Sequence, residues 1–115
     1  MSFFRKEVID FALAHETRRH IAEQRAWIER EPGNPHPYKN LAQLYRMEGR
    51  QEEALGLLLE AVRLDPTFAG AHVELAQIYA IRGDNRAAWR HARAAEAQGD
   101  RSAVDLLERH AMPDP

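Results

Sequence analysis

The stretch NPHPYKNLAQLYRMEGRQEEALGLLLEAVRLDP (residues 34–66) decides the fold, because it reads as two amphipathic helices joined by a short turn and closed by a proline. Asn34 is an N-cap residue, and Pro35 takes the first helical position, where its missing N–H costs nothing. Tyr38, Leu41, Ala42 and Tyr45 then recur at three- and four-residue intervals, so they share one helix face. Gly49 ends this helix, since glycine accepts the left-handed conformation of a C-cap. A second helix, from about residue 51 to 64, gathers Ala54, Leu57, Leu58, Ala61 and Leu64 on its own apolar face before Asp65 and Pro66 stop it. Small Ala54 and Ala61 let the two helices approach closely.

Sliding the sequence against itself by 34 residues superposes Leu41 on Leu75, Ala42 on Ala76, Gln43 on Gln77 and Tyr45 on Tyr79. Gly49 likewise falls on Gly83, Ala54 on Ala88 and Ala61 on Ala95. Seven identities in 34 positions exceed the roughly two that chance pairing of common residues supplies. The hairpin is therefore a repeat.

With these residues the chain resembles the tetratricopeptide repeat family, whose unit is a helix, a turn and a second helix at this period. Residues 35–68 carry the pattern through Tyr38, Leu41, Ala42, Tyr45, Ala54, Leu58, Ala61 and Pro66. Residues 69–102 keep Leu75, Ala76, Tyr79, Ala88 and Ala95, but place His72 in the aromatic position, Ala92 in the large apolar one and Asp100 where proline is expected. The resemblance implies an all-α fold: a right-handed superhelical stack of antiparallel helix pairs, an α-solenoid of about three repeats with a capping helix over residues 103–112.

Residues 1–34 continue the register less clearly. Phe4, Val8 and Phe11 lie 34 before Tyr38, Ala42 and Tyr45, and Pro32 lies 34 before Pro66. Ile21, Ala22, Trp27 and Ile28 make a second apolar stripe. The expectation is a degenerate first repeat, a hairpin. The alternative is one long helix over residues 3–30, because His15 stands where Gly49 and Gly83 stand later. At the other end, Gly99 closes a helix and Ser102 opens another, with Ala103, Leu106, Leu107 and His110 on one face, as a terminal cap requires.

Composition excludes several classes. A chain of 115 residues without cysteine forms one domain with neither disulfides nor a thiolate zinc site. A net charge of −2 gives no concentrated basic surface for nucleic acid. No apolar run reaches membrane-span length, and acidic residues interrupt the N-terminal stretch where a signal peptide would be apolar, so a cytoplasmic location is expected. Lys6 and Lys39 are the only lysines among 16 basic residues, an arginine excess typical of a GC-rich bacterial genome.

No constellation of residues reads as a catalytic site, a cofactor site or a metal site. The six histidines are scattered. His15 and His20 are five apart rather than four, His72 replaces a packing aromatic, and His91 is expected on the exposed side. Glycine-rich phosphate loops and nucleophile elbows are missing. The expectation is a protein that is not an enzyme and needs no cofactor.

The resemblance implies instead a groove lined by the first helices of successive repeats, which binds a peptide or helix of a partner protein. The matching positions are His36, Lys39, Gln43, Arg46 and Met47, followed by Val73, Gln77 and Ile81. In the first unit they are Arg5, Ile9, Ala12 and Leu13. Lys39 and Arg46 lie seven apart, two helical turns, and together suit an acidic segment whose apolar side chains meet Met47, Val73 and Ile81. Capture of a chaperone's C-terminal carboxylate is disfavoured, because Gln43 and Glu74 stand where that subtype has asparagines. The alternative function is self-association, as a weak homodimer, or assembly at a membrane surface through Phe3, Phe4, Phe11 and Leu13.

Overall fold

Capping chemistry sets the element boundaries. In a computed structural model describing residues 2–115, and only the backbone of residues 2–4, the described residues form six helices. They are α1 (Ser2–Arg30), α2 (Pro35–Met47), α3 (Gln51–Leu64), α4 (Ala69–Ile81), α5 (Asn85–Ala97) and α6 (Ser102–Arg109). Asn34 caps α2 by accepting the His36 amide at 3.0 Å, with Pro35 in the first turn. Asp84 does the same for α5 through the Ala87 amide at 3.1 Å.

The turns between paired helices share one closure. Gly49 has φ +79, its amide donates to the Arg46 carbonyl at 3.0 Å, and the Arg50 amide reaches back to the Tyr45 carbonyl at 2.8 Å. Gly83 repeats this with φ +80, as the Asp84 amide donates to the Tyr79 carbonyl at 2.9 Å. This double bond-back satisfies carbonyls that a helix end leaves unpaired. It also fixes the reversal that folds α2 onto α3 and α4 onto α5.

Alanine makes those pairs tight. Ala42, Ala54, Ala61, Ala71, Ala88, Ala92 and Ala95 are fully buried, with Leu58, Leu75, Val104 and Leu107 filling the space between. The core divides into two clusters, one around α2, α3 and the start of α4, the other around α4, α5 and α6. Helix α6 covers the second cluster with Ala103, Val104 and Leu107; of the residues expected on that face, Leu106 is half-buried and His110 is exposed, and Val104 takes their place.

The first unit departs from the expected hairpin: α1 is a single helix of 29 residues. The first helix breakers in the chain are Pro32 and Gly33, so nothing interrupts the hydrogen-bond ladder at residue 15. Side chains bridge the site of the missing turn instead. Thr17 Oγ1 donates to the Leu13 carbonyl at 3.0 Å, and Glu16 pairs with Arg19 at 3.3 Å. The second half of α1 packs through Ile21 and Ile28 into the first cluster, while Val8, Ile9, Phe11 and Leu13 stand in solvent. Phe3 and Phe4 lie outside the residues whose side chains are described. The projecting half stretches the molecule to 51 × 37 × 23 Å with a radius of gyration of 16.3 Å, against about 13 Å for a compact chain of this length.

Candidate functional site

The 34-residue period lays equivalent residues of α2 and α4 side by side, and between them runs an open groove of about 760 Å³. Lys39, Gln43, Arg46 and Met47 line it from α2, and Gly70, Val73, Glu74 and Gln77 from α4. Gln51 and Asp100 complete its lining. Gly70 makes room for Lys39: a Cβ there would stand 2.9 Å from the Lys39 Cε.

Glu74 organises the floor. It is 7% exposed, accepts a hydrogen bond from the Gln43 amide through Oε1, and lies 3.8 Å from both Lys39 Nζ and Arg46 Nη1. Burial pushes its carboxyl above the ordinary carboxylate range, and the Gln43 hydrogen bond and the charges of Lys39 and Arg46 pull back without overcoming it. Its Oε2 has no hydrogen-bond partner among the described residues. Arg46 also donates to Gln77 Oε1 at 3.2 Å. The two cations expected to meet an acidic segment are thus turned onto an internal carboxylate, and with Asp100 the charges lining the groove balance at two positive and two negative.

The remaining predicted positions divide. Met47, 73% exposed, flanks the groove, whereas Val73 is half-buried against the second core cluster. Ile81, 79% exposed, lines a neighbouring depression of about 340 Å³ with Arg46, Gln77, Ala80, Leu106, Leu107, His110 and Met112. Arg46 and Gln77 form the wall that the two hollows share. His36 is not among the lining residues; its ring tilts against Phe68 with centroids 4.8 Å apart.

The histidines hold one surprise. His91, expected on the exposed side, is buried beneath Tyr79, with rings nearly parallel at 5.6 Å, and its Nδ1 meets His72 Nδ1 at 3.0 Å. Burial, then the neighbouring His72 and Arg90, lower its pKa from 6.5 to about 4. The repeat carried the signal, since His91 lies 34 residues after apolar Leu57. Among the described residues no three His, Asp or Glu side chains are grouped to hold a metal ion, and no helix is long and apolar enough to cross a membrane.

Paired helices at a fixed period, a capped end and an open groove between equivalent helices define a helical-repeat stack built to present a surface. A profile of the tetratricopeptide repeat family matches residues 14–95, and the chain belongs to that family. A relative, the TPR repeat-containing thioredoxin TTL4 of Arabidopsis thaliana, is 38% identical over 86 residues, covering 72% of this chain and 13% of that protein. The chain therefore spans a small fraction of the relative's length. Repeats of this family are in general protein–protein interaction modules.

Proposed function

We infer that this chain is a non-enzymatic adaptor that holds a peptide or helix of a partner protein in the groove between α2 and α4. The observation that carries this reading is the uncovered pair Met47 and Ile81, two large apolar side chains 73% and 79% exposed at equivalent ends of adjacent helices. They sit beside the polar row Lys39, Gln43, Arg46 and Gln77. An amphipathic segment fits this arrangement: its apolar side chains cover Met47 and Ile81, and its polar side chains exchange hydrogen bonds with Gln43 and Gln77. Acidic residues in that segment compete with Glu74 for Lys39 and Arg46, so charge selects among partners and apolar contact supplies most of the affinity.

Photo-crosslinking tests this reading. A benzoylphenylalanine placed at Met47 or Ile81 is expected to capture a partner from cell extract, and the same probe at Arg63 on α3 is not. Met47→Glu and Ile81→Glu, which touch exposed side chains, should each abolish capture without altering the helical circular dichroism. Equal capture from Arg63 would remove the groove from consideration.

A further inference from the structure

We propose that two copies of this chain exchange their N-terminal segments, residues 5–14 of each supplying the first helix that the other copy's stack lacks. Three observations carry this. First, the segment has the register of a first repeat helix without its packing. Val8 and Phe11 lie 34 residues before Ala42 and Tyr45 and 68 before Ala76 and Tyr79. Ala42, Tyr45 and Ala76 are buried, whereas Val8 is 52% exposed and Phe11 70% exposed.

Second, the segment does not fold back on its own chain. Reversal at Gly49 and Gly83 uses φ near +80, a conformation that His15 adopts only at a cost. The helix instead runs straight through residues 14–16, held by the Thr17 and Glu16 bridges.

Third, the place of that helix is open. Beside α2 and the second half of α1 lies a slot of about 340 Å³ lined by His20, Gln24, Asn40, Gln43, Leu44 and Met47, among others.

Two straight α1 helices laid antiparallel about a two-fold axis near residue 15 satisfy all three. Each copy's segment enters the other's slot, so the interface is isologous and closes at two copies. A two-fold near residue 15 pairs residue i with residue 30 − i of the other copy, so Lys6 comes within one residue of Glu23 and Glu7 within two of Arg25, while Glu7 faces Glu23 and Arg5 faces Arg25. Arg5 and Lys6 are balanced by Glu7 and Asp10, so the segment has no net attraction to an anionic lipid surface. The two-fold makes the contact twice. The exchange also lengthens the groove: Arg5, Ile9 and Leu13 arrive at the positions that Lys39, Gln43 and Met47 hold one repeat later. It does not depend on the identity of any groove ligand.

Light-scattering mass of the full chain is expected at twice 13.2 kDa. A mass of 13.2 kDa from dilute to concentrated solution overturns the exchange, including the case in which the segment binds anionic phospholipid vesicles instead. Phe11→Glu should restore the single-copy mass with helical circular dichroism unchanged; a persistent dimer counts against it. Copying the turn of residues 48–50 by Ala14→Glu, His15→Gly and Glu16→Arg should let each segment close on its own stack and give a monomer. A graft that leaves the dimer intact shows side-by-side packing rather than exchange. Because the chain lacks cysteine, register can be read by oxidation: a mixture of Val8→Cys and Gln24→Cys copies should form a covalent dimer. Crosslinking of Val8→Cys copies alone overturns the antiparallel arrangement.

Discussion

The Nδ1 atoms of His72 and His91 face each other at 3.0 Å in the core, while His72 Nε2 lies 2.8 Å from the Pro66 carbonyl. These contacts fix both tautomers. A carbonyl only accepts, so His72 carries its proton on Nε2 and its Nδ1 accepts from His91 Nδ1–H. The unprotonated Nε2 of His91 is then left buried without a partner among the described residues. A proton arriving at His91 Nε2 would place a charge where nothing receives it.

Stability should therefore fall on mild acidification. The folded pKa of His91 is lowered from 6.5 to about 4, so the unfolded chain takes up this proton first. The contribution is fully present above pH 6.5 and is lost as pH falls toward about 4. Thermal unfolding between pH 7 and 4.5 should show a loss approaching about 2 kcal/mol, and His91→Phe should flatten that limb. The carboxyls of Glu53, Glu60, Asp65 and Asp100, held low by their hydrogen bonds, contribute only further down. Glu74, whose carboxyl is raised, acts with the opposite sign, gaining stability as it protonates. Identical slopes for wild type and His91→Phe would dismiss the imidazole pair as the cause.

Glu74→Gln should release Lys39 and Arg46 from their internal counterion. Burying the carboxylate is itself costly, so thermal stability should change little. A fluorescent amphipathic peptide with two acidic residues should bind tighter by on the order of 1 kcal/mol, about fivefold, with a steeper dependence on salt. Unchanged affinity and salt slope in a titration would mean that neither cation meets the ligand.

The turn after α6 repeats the glycine closure without glycine. Ala111 has φ 53, its amide donates to the Glu108 carbonyl at 3.0 Å, and the Met112 amide donates to the Leu107 carbonyl at 3.0 Å. A left-handed alanine costs about 1 kcal/mol relative to glycine. Ala111→Gly should raise the denaturation midpoint by roughly that amount, less the extra freedom given to the unfolded chain. A lower midpoint would refute this.

Leu58 is fully buried between α2 and α3, and its counterpart one repeat later is Ala92. Leu58→Ala should cost about 2–5 kcal/mol through the cavity it leaves, measured by urea unfolding. Ala92→Leu should destabilise by overpacking, because Ala92 is fully buried in the cluster that Trp89, Val104 and Leu107 already fill.

Helices α2 to α6 were legible because their signals are local. Asn34 with Pro35, the glycines at 49, 83 and 99, and the small residues at 34-residue spacing each act within one or two turns. The straightness of α1 turned on an absence, the missing breaker at His15, which competed with a register pointing to a hairpin. Lys39, Gln43, Arg46, Met47, Val73 and Gln77 could be placed on the groove from the repeat, whereas His36 and Ile81 fall outside it, and the mutual pairing of the polar residues could not be read. That Glu74 sinks between Lys39 and Arg46 depends on the distance between α2 and α4, a tertiary quantity no spacing along the chain encodes. His91 was misplaced for a related reason: on α5 alone it reads as one polar residue among arginines. Only its alignment with Leu57, and a partner 19 positions earlier, make it a core residue.

The two ends of the stack are unlike. α6 seals one with Ala103, Val104 and Leu107, while at the other α1 rests on a single neighbouring pair and then leaves it. Within one copy, cooperativity must therefore decay in one direction, and amide hydrogens should exchange with deuterium in a graded order. In a single-copy form such as Phe11→Glu those of residues 5–14 go first, α2 and α3 follow, and α4, gripped from both sides, holds its protons longest.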